Sequence, residues 1–188
     1  NYLNSPKKKN KAQVISEFEK AIQLAQKNTY NKMNVAVAYL NYANFLVAIK
    51  ESESKIMPLV NQALFFAKKY GIVSVVRNCY GIKGLLFINR NNLNEAESSF
   101  LQGIIYLKTL PFKDYETERK FYNDLKEIAS SKKDFTTFHK YDKLFQEATN
   151  HANANERESA IQNAIAKYDL QNNEEKIALL LRKNQLKD

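Results

Sequence analysis

The chain has 188 residues, 44% of them hydrophobic, with only 4 Gly and 3 Pro to break helices. That composition excludes a disordered or collagen-like chain and indicates one ordered, mostly helical domain. No apolar run approaches the roughly 20 residues needed to span a bilayer, so the sequence predicts no membrane insertion, and a lone cysteine, Cys79, excludes an intramolecular disulfide or a thiolate metal cage.

The net charge of +9 is unevenly placed. Residues 1–50 carry 8 Lys and Arg against 2 acids and residues 51–110 carry 7 against 4, while the remainder balances. Part of the excess is the run Lys7–Lys11 (KKKNK), in a basic lead-in over residues 1–9 that suits either phosphate or anionic-lipid contact or a solvated helix start. The chain opens on Asn1 without a basic-plus-apolar leader, so the expectation is a piece of a longer protein, with further repeats before Asn1.

In chain order, apolar periodicity predicts a helix over 10–27, then helix pairs at 31–50 with 53–70, 72–90 with 93–109, and 113–131 with 134–149. A last long helix is expected over 155–187. Turn signals fall between them. KESES at Lys50–Ser54, NRNNLN at Asn89–Asn94 and SSKKD at Ser130–Asp134 occupy equivalent places, with Asn92 or Asn94 as an N-cap. Gly71 suits the residue just past a helix end, and Pro111 stops the helix that ends near Leu110.

A shift of 41 residues superimposes the chain on itself. In the first helix of each pair it aligns Tyr39 with Tyr80 and Phe121, Ala43 with Gly84 and Leu125, and Leu46 with Phe87 and Ile128. In the second it aligns Phe18, Leu59, Phe100 and Tyr141; Ile22, Ala63, Ile104 and Phe145; and Ala25, Phe66, Leu107 and Ala148. Both sets are stripes at i, i+4, i+7. Each pair therefore has a face that only a stacked neighbour can bury, and the fold class that follows is all-α, an α-solenoid of antiparallel helix pairs over 10–150 with a C-terminal capping or stalk helix over 151–188.

Residues Tyr80–Phe100 (YGIKGLLFINRNNLNEAESSF) and Gly103 carry a more specific pattern. Tyr80, Gly84 and Phe87, then Ala96, Phe100 and Gly103, resemble the signature of a tetratricopeptide repeat, in which small residues let two helices approach. Tyr39, Ala43 and Leu46 fit its first helix, whereas Lys55, Leu125 and Thr137 stand where small residues belong. Gly103 is expected to face Gly84, while Gly81 lies off the packing columns. Residues 167–188 (KYDLQNNEEKIALLLRKNQLKD) resemble the charged helix that leaves the repeat array in membrane-anchored tetratricopeptide regulators of Bacteroidetes-type bacteria. That resemblance implies an array in the periplasm and, outside this fragment, a membrane span and a DNA-binding or histidine-kinase output. The stripe Ile161, Ile165, Tyr168 is interrupted at Asn172 and resumes at Ile177, Leu180 and Leu181, which suits either a signalling coiled coil, and so a homodimer, or a helix that only caps the array.

No catalytic constellation is found, and the chain is expected not to be an enzyme. His139 and His151 have no metal-ligand spacing, Asp142 lies three residues from His139 on an ordinary helix, and no glycine-rich phosphate loop follows a strand. No catalytic, cofactor or metal site is assigned. The expected partner is a protein or peptide, held on the inner surface that the resemblance gives to first helices. The residues facing away from the packing stripe are Asn41 and Asn44, then Asn78, Leu85 and Asn89, then Asn123 and Lys126. Asparagine amides both donate to and accept from a peptide backbone. The function read from these features is the protein-interaction sensor region of a bacterial signalling or transcription regulator, extracytoplasmic, touching DNA only through a domain outside the fragment. A freestanding, cytoplasmic tetratricopeptide scaffold or adaptor is the alternative, and a basic nucleic-acid-binding repeat a third.

Overall fold

The structure is a computed structural model that describes residues 10–27 and 33–185, with side chains to Arg182. Lys7–Lys9 of the basic run lie outside the described residues. Among the described residues all regular structure is helical: α1 (Lys11–Lys27), α2 (Met33–Ala48), α3 (Glu53–Lys69), α4 (Val73–Asn89), α5 (Leu93–Lys108), α6 (Tyr115–Ser131) and α7 (Phe135–Gln185). Helices α2 and α3, α4 and α5, and α6 and the first part of α7 form the closely packed pairs, and each pair leans on the next through α3 with α4 and α5 with α6. This is an all-α, solenoid-like stack, with α1 packed on α2. One part of the core runs through α1 to α4 around Leu46, Val60 and Val76, and the other through α5 to α7 around Phe100, Leu125 and Ile128.

Four helix ends close in the same way. Lys50, Gly71, Asn91 and Lys133 have φ of 54°, 68°, 56° and 58°, the left-handed region. In each case the following N–H reaches back five residues: Glu51 to the Leu46 carbonyl, Ile72 to Ala67, Asn92 to Phe87 and Asp134 to Ala129. This double closure satisfies carbonyls that the helix leaves unpaired. Gly71 stands where the sequence predicts it, whereas Lys50, Asn91 and Lys133 adopt the same geometry with a side chain, so hydrogen bonding and packing of the turn outweigh a local cost of about 1 kcal/mol. Asn92 is the N-cap of α5 but makes no side-chain cap bond, while Asp114 and Asp134 accept from the N–H groups of Thr117 and Thr137 at 3.0 Å.

Ion pairs at these turns join successive units. Lys11 meets Glu51, Arg90 meets Glu53 and Lys132 meets Glu97, each at 2.6 Å, and the Tyr141 hydroxyl also donates to Glu97 at 3.1 Å. Each links the end of a first helix to the start of the preceding second helix. Such partly exposed pairs contribute about 0–1 kcal/mol, so their effect is on register more than on stability.

The glycines explain how the stack closes so tightly. A Cβ placed on Gly84 would come within 2.5 Å of the Phe100 ring, so Gly84 opens the notch in which the facing helix seats its phenylalanine. Gly103 does not face Gly84: its missing Cβ would meet Phe121 of α6 at 2.5 Å. Gly81 packs as well, with the Phe121 ring 3.0 Å from its Cβ position. The expectation that Gly81 lies off the packing is therefore corrected, because the contact comes from the next unit along the stack and the periodicity of one hairpin cannot show it. Phe100 and Phe121 lie 5.6 Å apart, tilted by 56°, and fill the space that the three glycines leave.

One boundary also differs. The sequence reading separates a helix at 134–149 from one at 155–187, yet α7 runs unbroken through 51 residues. Residues 150–154 (NHANA) contain neither Gly nor Pro, and a few asparagines only lower helix propensity without interrupting it. Burial stops at Ala152, and from Asn153 to Arg182 every side chain is exposed except the half-buried Asn172.

Two stability measurements check this description. Gly84→Ala gains about 1 kcal/mol in helix propensity but drives a Cβ into Phe100, which is 1% exposed and cannot withdraw; overpacking of about 1–3 kcal/mol outweighs the gain. Denaturant unfolding should show a net loss, partly recovered in Gly84→Ala/Phe100→Leu. Lys133→Gly, by contrast, should raise stability by about 0.5–1 kcal/mol through relief of the left-handed backbone.

Candidate functional site

The seven residues expected to meet a partner separate into two groups. Asn41 and Asn44 on α2, and Asn78, Leu85 and Asn89 on α4, are exposed, Leu85 to 45%. Met33 and Val37, two turns and one turn before Asn41, are exposed beside them at 50% and 38%. Helices α2 and α4 also touch each other, so their outward faces belong to neighbouring parts of one surface. That surface mixes amides, which can match an extended backbone, with isolated apolar side chains.

Asn123 and Lys126 on α6 differ, being half-buried. Lys126 is already engaged: its Nζ lies 3.4 Å from Asp142 Oδ1 and 4.4 Å from the centre of the Phe145 ring, both on α7. Asn44, Leu85 and Lys126 occupy the same position in successive repeats, yet only the first two are open. Lys126 is thus not an exposed contact but a cation held between a carboxylate and a ring. Its charge pairs with residues that the repeat places at Leu101 and Ile104 one unit earlier, where nothing could bind a cation.

Two features were not read from the sequence. Arg77 of α4 donates to both the Asp114 carboxylate and the Thr117 hydroxyl at the start of α6, and Thr117 in turn donates to Asp114 from its N–H and its hydroxyl. Partial burial pushes Asp114 upward, but the bonds from Thr117 and the Arg77 guanidinium outweigh it and hold the carboxyl below its usual range. The second is an open cleft of about 560 Å³ between Phe112–Glu116 and the α7 segment around Ala152, Glu156 and Ala160. At its edge Tyr115 stacks on His151 with ring centroids 4.6 Å apart. Phe112 is 60% exposed there. Neither feature has a periodic signal, because each joins segments that only the packing brings together.

Other titratable groups serve structure. Cys79 is fully buried and its thiol is pushed up to about 12 by burial, so it is an inert core residue at neutral pH, as its surroundings on α4 suggest. The Tyr80 hydroxyl accepts from Lys68 at 2.8 Å, and Tyr39 accepts from Gln26 at 3.0 Å, so in two units the preceding second helix binds the tyrosine that the third replaces with Phe121. His139 is exposed beside Phe138. Among the described residues no helix is long and apolar enough to cross a membrane.

No protein-family model, curated protein or solved structure matches the chain.

Asp124 on α6 supplies a pH test. Burial first, and the neighbouring Glu127 second, push its carboxyl up to about 6. A carboxyl whose folded value exceeds its unfolded one binds its proton more tightly in the fold, so stability falls as pH rises from about 4 to about 6. Asp124→Asn should remove that slope and, because solvent reaches the group and screens it, raise stability at pH 7 by only about 1 kcal/mol. Thermal melts of both forms between about pH 4 and about pH 7 will show whether the curves converge at the acid end.

Proposed function

We propose that this chain is a non-catalytic, tetratricopeptide-like protein-interaction domain, the sensor region of a bacterial signalling or transcription regulator. In this reading the array sits outside the cytoplasm and binds a protein or an extended peptide, and α7 conveys the bound state to an output domain beyond this fragment. The observation that carries the reading is the pairing of two features in one molecule. One is an open surface of amides and single apolar groups on α2 and α4; the other is a helix that begins in the core and continues uninterrupted beyond it.

The physical coupling follows from continuity. The first part of α7 packs on α6 through Tyr141, Ala148 and the Lys126–Asp142 pair, and beyond Ala152 its described side chains are exposed apart from the half-buried Asn172. A helix behaves as a stiff rod with a rise of about 1.5 Å per residue. A small rotation of α6 against its neighbours is therefore carried some 50 Å along α7. The alternative of a freestanding scaffold uses the same surface but assigns no work to the projecting helix, so the helix favours the regulator.

The surface is tested by replacing Asn41, Asn78 and Asn123 together with Ala and screening wild type and variant against an array of extended peptides. Loss of every wild-type hit with an unchanged melting curve is expected. Retention of the same hits at the same strength would remove this surface as the binding face. Because Asn123 is half-buried, the double variant at Asn41 and Asn78 should carry most of the effect.

A further inference from the structure

The projecting part of α7 bears a seam that the array does not use. Ile161, Ile165, Tyr168, Asn172, Glu175 and Leu179 follow one another at alternating steps of four and three residues, the d and a positions of a heptad pattern, while Ile177, Leu180 and Leu181 fall at f, b and c, off this seam. Ile161, Ile165 and Tyr168 are 58%, 49% and 66% exposed. A single helix of this length with five asparagines between Asn153 and Asn173 is marginal in water without a partner for its apolar stripe. We infer that the seam pairs with the same seam of a second copy, forming a parallel, in-register, two-stranded coiled coil over residues 161–179.

Charge selects the second copy over other occupants. Between residues 153 and 185 five Lys and Arg balance five Asp and Glu, so the net charge of +9 lies outside this segment. A neutral helix of mixed charge draws neither nucleic acid nor an anionic bilayer, which favour a basic face, and it meets its own copy without like-charge repulsion.

Position by position, parallel register is the better match. It sets Asn172, at an a position, opposite Asn172 of the second copy, where each amide can donate to and accept from the other; a single such Asn fixes register and a two-stranded state. Glu175, at d, comes beside Lys176 of the second copy at e. Antiparallel pairing would instead face Ile165 with Glu175 and Tyr168 with Asn172. The pairing does not depend on what the array binds.

The test uses the full chain. Sedimentation across a dilution series should show a dimer that Ile165→Asp converts to monomer without changing the thermal melt of the array, since Ile165 lies outside the core. Under mild oxidation Tyr168→Cys should form a covalent dimer, whereas Leu170→Cys, on the opposite side of the helix, should not; Cys79 is buried and does not compete. A wild-type chain that stays monomeric throughout, faster cross-linking at Leu170 than at Tyr168, or capture of monomer by phosphatidylglycerol vesicles would each overturn the pairing.

Discussion

The stack depends on two phenylalanine rings and the three small residues that admit them. Phe100 seats against Gly84 within its own helix pair, and Phe121 seats between Gly81 and Gly103 of the pair before it. Each glycine weakens its helix by about 1 kcal/mol relative to Ala. Burying a phenylalanine returns about 1.5–3 kcal/mol, and the gain recurs in the packing that surrounds it: Ala96, Ile104, Leu125 and Ile128 are all buried around these rings. The glycines thus convert local helix stability into close approach between units.

That junction also sets the direction in which the fold continues. Arg77 bridges α4 to the first turn of α6 through Asp114 and Thr117, and Lys132 with Glu97 fixes the opposite end of α6. With both ends held, α6 presents Tyr122, Leu125 and Ala129 to α7, and α7 lies along it. The orientation of the projecting helix is therefore inherited from the third unit. The same packing commits Lys126 to Asp142 and Phe145 instead of leaving it facing outward.

Much of this was legible in the sequence. The helices within the array fall within about two residues of the predicted bounds, because a repeated apolar stripe at helical spacing and a turn signal every unit are both local properties. Gly84 was legible for the same reason: its partner Phe100 lies in the same hairpin. The break expected near residue 150 was wrong, since a drop in apolar periodicity marks the end of burial and not the end of a helix. For the candidate surface, periodicity could place Asn41, Asn78 and Leu85 on outward faces, yet it gave Lys126 the same standing.

What the sequence determined by itself was every interaction between residues close along the chain or repeated at a fixed distance: helix identity, the 41-residue register, the glycine notch within a pair and the neutral charge of the last helix. Tertiary structure alone decided the contacts between units. Phe121 against Gly81 and Gly103, and Arg77 against Asp114, join residues whose partners are chosen by how the pairs stack, and no period in the chain encodes that angle. The physical reason is that a periodic pattern states which face of a helix is buried, whereas side-chain shape at the junction decides what buries it.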